Sequence, residues 1–172
     1  CNFRCIYCMP THPQWIDHKD IMTYEEIVRF ARIAVDCGIR KIRLTGGEPT
    51  IRQGCADLIR MLREVGGIKD LSLTTNGFLL PELAHELWDS GLRRINISLD
   101  TIRRERFAEI ARRDALERVW KGIREAERVG FDPIKVNMVV IRDFNDDEIV
   151  EFAMLSRETP YRIRFIEYMP LD

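Results

Sequence analysis

The segment KIRLTGGEP, Lys41–Pro49, joins a short strand pattern to a glycine-rich turn. Apolar residues of the strand alternate with polar ones, which are Lys41, Arg43 and Thr45. This period of two sends the polar side chains to one face of a strand and the apolar side chains to the other. Two glycines after a strand allow a ligand to approach the backbone closely, and Pro49 stiffens the exit of the turn. The segment therefore predicts a strand over Lys41–Thr45 that ends at a binding turn.

The same unit, a short strand next to an amphipathic helix, recurs along the chain. Four further strands are predicted, at Leu71–Thr75, Arg94–Leu99, Ile134–Val140 and Arg162–Glu167. A capping box of Thr23 and Glu26 predicts the start of the first helix. Its apolar positions at helical spacing are Ile27, Phe30, Ala31 and Ala34. This alternation predicts an α/β fold with a parallel sheet and right-handed crossovers, and both a doubly wound sheet and a barrel fit it.

Each predicted strand carries polar side chains on the face that should point away from the helices. The interior of an ordinary (β/α)₈ barrel is filled with Val, Ile and Leu, so a polar inner face is unusual. Four cations share this face, and they are Lys41, Arg43, Lys135 and Arg164. Together they would attract a polyanion. The alternative interpretation is an open sheet with one solvated, charged face.

Composition excludes several classes of protein. The 172 residues contain 27 Lys and Arg against 28 Asp and Glu, which gives a net charge of −1. This balance argues against a basic nucleic-acid tail. No apolar run approaches the ~18 residues of a membrane span, and no secretory signal is visible. We therefore expect a cytoplasmic protein without membrane or nucleic-acid partners.

Three of the five cysteines lie within the first eight residues, CNFRCIYC. Cys1, Cys5 and Cys8 have the spacing C-x3-C-x2-C, and thiolates this close are typical of metal ligands. Three ligands suit a four-iron cluster that keeps one iron open for a chelating molecule. The alternative is a zinc site completed by His12, which would staple a binding module without catalysis. Cys37 and Cys55 lie near predicted helix ends and are interpreted as packing residues.

Taken together, these motifs resemble the radical SAM superfamily and, within it, the GTP 3′,8-cyclases of molybdenum cofactor biosynthesis. The matching segments run in order along the chain: CNFRCIYCMP (1–10), KIRLTGGEPTIR (41–52), LTTNG (73–77), GLRRINISLD (91–100), KVNMVV (135–140) and RFIEYMP (164–170). The resemblance implies a partial (β/α)₆ barrel, with residues 1–172 forming a radical SAM core domain. It also implies that this domain is truncated at both ends, because the family's first strand and C-terminal region have no counterpart here.

The resemblance further implies cofactors, a substrate and site residues. Cys1, Cys5 and Cys8 would hold a [4Fe–4S] cluster whose open iron binds S-adenosylmethionine (SAM). Positions that match SAM contacts of the family are Tyr7, Gly47, Ser98 and Met169. Positions that match GTP contacts, or lie on the same face, are Arg43, Thr74, Lys135, Lys41 and Arg164. Reductive cleavage of SAM would yield a radical that removes hydrogen from the GTP ribose, so a reductant is the other implied partner and a homodimer is possible.

The departures from the family pattern limit what this chain is expected to do alone. The family's second three-cysteine cluster, which helps to hold GTP, is not encoded here. We therefore expect little or no cyclase activity from the isolated chain. Another radical SAM enzyme with a different substrate is the alternative that shares the same motifs.

Overall fold

A computed structural model of the chain describes residues 1–10, 12–14 and 16–169. Its centre is a sheet of five parallel strands. Their bounds are β1 (Lys41–Leu44), β2 (Asp70–Thr75), β3 (Arg94–Ser98), β4 (Ile134–Val140) and β5 (Arg162–Glu167). All five predicted strands are therefore confirmed, and the largest error at either end is one residue.

The strands pair in sequence order, β1-β2-β3-β4-β5, without a reversal. A doubly wound sheet changes direction at a switch point, whereas a barrel adds each new strand beside the previous one. The order therefore resolves the two topologies left open by the sequence in favour of a partial barrel. In this register Arg43 is paired with Ser72, and Asn96 is paired with Lys135, so the polar side chains form continuous rows across the strands.

Among the described residues, six helices connect the strands or precede them. They are α1 (Tyr24–Asp36), α2 (Cys55–Arg63), α3 (Leu80–Asp89), α4 (Arg104–Ala111), α5 (Leu116–Val129) and α6 (Ile149–Glu158). The described part of the chain also contains short 3₁₀ turns at His18–Asp20, Pro49–Ile51 and Asp146–Glu148. The capping box before α1 is confirmed, because the Thr23 side chain accepts from the Glu26 N–H and the Glu26 carboxylate accepts from the Thr23 N–H. None of the helices among these residues has the length and apolar character that a membrane crossing requires.

The hydrophobic core lies between the apolar face of the sheet and the helices. Leu73, Ile97, Val136 and Met138 are completely buried there. The predicted inward position of Phe30 on α1 is wrong, because its side chain is 65% exposed. The buried face of α1 consists of Val28, Ala31 and Val35. This face is rotated by about one residue from the predicted stripe, since tertiary packing selects between two overlapping apolar stripes.

Candidate active site

The cysteine-bearing segment lies across the carboxyl ends of the strands and packs on α4. Phe3 is buried, and its ring meets Phe78 and Phe107 edge to face, with both pairs of ring centroids 5.8 Å apart. Farther along, the Arg4 N–H donates to the carbonyl oxygen of Ala111 at 3.1 Å, and the Ile6 N–H donates to that of Ile110 at 3.0 Å. Aromatic packing and backbone hydrogen bonds thus fix the first six residues at the edge of the sheet where α/β proteins form their sites.

Two thiols of this segment, those of Cys5 and Cys8, lie at one tight turn, and residues 1–9 are called the thiol loop below. The N–H groups of Cys8 and Met9 both donate to the carbonyl oxygen of Cys5, at 3.0 and 3.1 Å. Cys1 and Cys5 are half-buried, whereas Cys8 is exposed. Burial raises the pKa of Cys5 to about 12, and the negative charges of Asp100 and Cys8 add to the shift. A free thiolate is therefore unfavourable at Cys5. A bound metal cation would offset this cost, because it stabilises the thiolate.

The arrangement of the possible ligands separates the two metal interpretations. Across the described ranges, no three His, Cys, Asp or Glu side chains converge on a position for one metal ion. His12, which the zinc interpretation requires, is exposed. A tetrahedral zinc needs its ligands around one centre, whereas a four-iron cluster takes each cysteine on a different iron. The described residues therefore present no preformed site for a single zinc ion.

The glycine turn after β1 lies directly against the start of the chain. Gly46 has a φ of +137°, a conformation that L side chains rarely adopt. A Cβ atom added at Gly47 would lie 3.2 Å from the backbone nitrogen of Cys1. The side chain of Asn76, which follows β2, donates to Asn2 Oδ1 at 2.7 Å. The turns after β1 and β2 therefore form a close cradle for the first residues of the thiol loop.

Glu48, which the sequence analysis did not assign, holds this cradle together. Its side chain is only 5% exposed. Oε1 accepts from the hydroxyl groups of Thr50 and Thr75, at 2.5 and 2.7 Å, and from the Thr50 N–H at 3.1 Å. Oε2 accepts from the Asn76 N–H at 2.6 Å. The signal was present in the GGEP turn, but a carboxylate before proline does not reveal partners 27 residues away in the sequence.

Replacing Glu48 with glutamine should destabilise the protein markedly. Both oxygens of Glu48 accept hydrogen bonds, whereas the glutamine NH₂ group can only donate. At least one buried donor would therefore lose its partner. We expect the free energy of unfolding to fall by about 2–4 kcal/mol in urea titrations. Glu25→Gln, at an exposed position of α1, should change it by less than about 0.5 kcal/mol. Equal stability of the two variants would contradict the assigned role of Glu48.

A pocket with an empty volume of about 340 Å³ lies between the thiol loop and the strand ends. Cys5, Tyr7 and Ser98 line it, so two of the predicted SAM positions share this pocket with one predicted cluster ligand. Gly47 lies at the neighbouring cradle. Met169 follows β5 and is 67% exposed.

Asp100 is the second buried carboxylate that the sequence analysis left without a role. It is 7% exposed and lines the same pocket. The Tyr7 hydroxyl donates to Oδ2 at 2.6 Å, and the Val139 N–H donates to Oδ1 at 2.9 Å. Burial raises the pKa of Asp100, although both hydrogen bonds oppose that shift. Burial and the nearby carboxylate also raise the pKa of Tyr7.

The inner face of the sheet carries a concentrated positive charge farther from the carboxyl ends. A second pocket, with an empty volume of about 220 Å³, is lined by Arg43, Arg94 and Lys135 together with the polar side chains of Asp70, Ser72 and Asn96. Burial lowers the pKa of Lys135, and the positive charges of Arg164, Arg94, Arg162 and Arg43 lower it further. Arg94 forms an ion pair with Asp70, so the lining of the pocket sets one carboxylate against three cations. An anionic ligand would relieve their repulsion.

The remaining predicted substrate positions lie on the same face at different depths. Lys41 is exposed and is paired with Asp70 in the register of β1 and β2. Thr74 is half-buried and is paired with Asn96. Arg164 is exposed and is paired with Asn137. Arg43 and Lys135, which line the same pocket, therefore lie on the polar face as predicted.

Two buried oxygen atoms in the described part of the chain have no hydrogen-bond partner, Asp70 Oδ1 and Asn137 Oδ1. Their residues lie on the polar face, at the levels of Lys41 and Arg164 respectively. Buried acceptors without donors are costly, and a ligand or an ordered water supplies the donor in most proteins. The face thus combines several cations with acceptor oxygens that an N–H or O–H group of a ligand, or a water, would satisfy.

Comparison with known proteins supplies the family. The model of the radical SAM superfamily matches residues 1–155. The chain belongs to the radical SAM superfamily. Membership of the radical SAM superfamily implies a [4Fe–4S] cluster and SAM as cofactors. The thiol loop and the cradle against Cys1 fit this requirement, because the chain presents three cysteines and a glycine turn at one edge of the sheet.

Curated relatives of this radical SAM chain are much longer than the chain itself. It is 51% identical to the GTP 3′,8-cyclase of Moorella thermoacetica, over 99% of this chain and 53% of that protein. It is 47% identical to the GTP 3′,8-cyclase of Thermodesulfovibrio yellowstonii, over 99% of this chain and 54% of that protein. The chain thus spans about half the length of the curated relatives that it matches.

Solved structures of other proteins share the radical SAM fold. Streptococcus suis SuiB bound to S-adenosylmethionine superimposes with a TM-score of 0.82 at 22% identity, over 99% of this chain and 39% of SuiB. HydG, a maturase of the [FeFe]-hydrogenase, superimposes with a TM-score of 0.74 at 15% identity, over 98% of this chain and 42% of HydG. At this level of identity the comparison supports the partial barrel and does not identify a substrate.

Proposed function

We propose that the chain forms the catalytic core of a GTP 3′,8-cyclase of molybdenum cofactor biosynthesis. The observation that carries this proposal is the pairing of two features on one sheet: a thiol loop at the carboxyl ends of the strands and a crowded cationic pocket below it on the inner face. The names of the longer relatives support GTP as the substrate. The extent of the core domain, residues 1–172, is part of this proposal.

The residues divide into two groups by their level along the strands. Cys1, Cys5 and Cys8 would hold the cluster, and Tyr7, Gly47, Ser98 and Met169 would contact SAM. When bound, the cluster and SAM supply the radical chemistry, in which one electron cleaves SAM reductively. The protein's own residues orient the substrate and shield the reaction from water.

The cationic pocket would bind the triphosphate of GTP. Arg43 and Lys135 line it, and Lys41, Thr74 and Arg164 lie on the same face. On β4, Lys135 precedes Val139 by four residues, which corresponds to about 13 Å along a strand. Because Val139 binds Asp100 beneath the thiol loop, this spacing separates the phosphate-binding level from the cluster level. A nucleotide anchored by its phosphates would thus extend its sugar towards the thiol loop.

The proposal is tested by SAM cleavage in a protein of the relatives' full length that contains this chain. After anaerobic reconstitution with iron and sulfide, the protein should be brown, and dithionite should bleach its absorbance. Reduction with SAM should then yield 5′-deoxyadenosine, and GTP should couple this cleavage to formation of a cyclic pterin precursor. A colourless protein with one zinc per chain would overturn the proposal in favour of a binding module.

A second enzyme function keeps the chemistry and changes the substrate. SuiB and HydG show the same fold at low identity, so the fold alone does not select GTP. The cationic pocket favours a polyphosphate over an uncharged substrate. If SAM cleavage occurs but GTP neither binds nor is consumed, this alternative replaces the cyclase.

A further inference from the structure

The thiol loop is tied to the sheet by a side-chain contact between residues 93 positions apart. Tyr7 lies between Cys5 and Cys8 in the sequence. Its hydroxyl donates to Asp100 Oδ2 at 2.6 Å. Its ring also meets Tyr168 edge to face, with the centroids 6.3 Å apart. Tyr7 thereby links the turn that carries two thiols to the residues that follow β3 and β5.

Asp100 is itself held rigidly from a neighbouring strand. Its Oδ1 accepts from the Val139 N–H of β4 at 2.9 Å. Its backbone carbonyl accepts from Asn145 Nδ2 at 2.7 Å. Asn145 is completely buried, and its side chain also binds the backbone of Val139 and Ile141. The carboxylate that receives the Tyr7 hydroxyl is thus anchored through two strands and a buried amide.

We propose that Asp100 is a positioning residue that holds Tyr7, and with it the segment Cys5–Cys8, at a fixed height above the sheet. Burial makes the contact strong, because a hydroxyl-to-carboxylate hydrogen bond gains strength where water is excluded. The contact also closes one wall of the pocket that contains Cys5 and Ser98. This inference deepens the proposed function, since the positioned segment is the one that would hold the cluster.

The competing explanation is that the hydrogen bond only stabilises the fold. Tyr161 provides a matched control. It is also buried, and its hydroxyl donates a hydrogen bond to the carboxylate of Glu127 at 2.5 Å. Tyr161 lies at the start of β5, away from the thiol loop. Tyr7→Phe and Tyr161→Phe each remove one oxygen and one such hydrogen bond. A purely structural role predicts the same behaviour of the thiol loop in both variants.

Amide hydrogen exchange of the 172-residue chain tests the inference without requiring a cluster. In Tyr7→Phe and Asp100→Ala, exchange at the amides of Cys8 and Met9, which bind the Cys5 carbonyl, should rise about tenfold. Tyr161→Phe should leave exchange at these two amides unchanged. Asp100→Asn should largely restore protection, because its amide oxygen can accept from Val139 while its NH₂ group donates to the Tyr7 oxygen.

The outcomes separate this inference from the proposed function. Equal exchange of the Cys8 and Met9 amides in Tyr7→Phe and Tyr161→Phe would overturn the inference, even if a cluster forms and cleaves SAM. If Asp100→Ala does not fold, Tyr7→Phe and Asp100→Asn decide the question alone. In reconstituted protein, Tyr7→Phe should also change the electron paramagnetic resonance spectrum of the reduced cluster, whereas Tyr161→Phe should not. Failure of the unmodified protein to take up a cluster would count against the proposed function and leave the exchange result valid.

Discussion

Replacing Cys8 with serine should abolish the iron–sulfur absorbance of the reconstituted 172-residue chain and, on the proposed function, lower SAM cleavage by a full-length protein that contains it at least about 100-fold. A hydroxyl is a poor ligand for iron at neutral pH, because it does not ionise as a thiol does. Cys8 is exposed, so the substitution should not perturb the core. Iron analysis should therefore show loss of the metal while circular dichroism shows an unchanged fold.

Cys37 is the matched control for this prediction. It is also exposed, and it lies at the end of α1, which is not part of the thiol loop. Cys37→Ser should keep both the absorbance and the iron content of the unmodified protein. The assignment of the thiol loop would be wrong if Cys8→Ser retained a full complement of iron, or if Cys37→Ser lost it.

If the proposed function is right, replacing Lys135 with alanine in a full-length protein that contains this chain should weaken GTP binding by about 100-fold, or roughly 3 kcal/mol. Lys135 lines the cationic pocket, and its lowered pKa reflects burial and the surrounding arginines. Loss of one cation from a partly buried site removes attraction for the phosphates where water screens it least. Equilibrium dialysis with GTP measures the effect, and the affinity should fall with rising salt in the unmodified protein.

Lys121→Ala is the corresponding control, since this substitution removes the same charge from an exposed position on α5. It should change the affinity by less than about twofold. A further test of the pocket is Arg43→Ala, which should weaken GTP binding to a similar extent. If Lys135→Ala binds GTP as well as Lys121→Ala does, the phosphates bind elsewhere.

Strand positions were predictable because period-two alternation is a local property of the sequence. Ile134–Val140 and Arg162–Glu167 match their predicted bounds fully. Strand order was not predictable in the same way, since a barrel and a doubly wound sheet contain identical local units. The position of Phe30 on α1 failed for a related reason, because two apolar stripes overlap on that helix and only packing selects one.

The candidate site also combines features that the sequence predicts with features that only the folded chain shows. Cysteine spacing, the glycine turn and the cations of alternate strands are visible in the sequence, and they indicated both the metal chemistry and the polyanion. The carboxylates of Glu48 and Asp100 gained roles only in the folded chain. Each binds donors from several elements, and such partners are distant in sequence.

The sequence by itself determined the residue types of this protein's chemistry and the faces on which they lie, because side-chain identity and alternation are encoded locally. Tertiary structure decided which of these residues meet, how deep the cations lie below the thiol loop, and which buried carboxylates fix the loop in place. These properties depend on burial and on hydrogen bonds between distant segments, and both arise only when the strands pair in order and the helices cover one face.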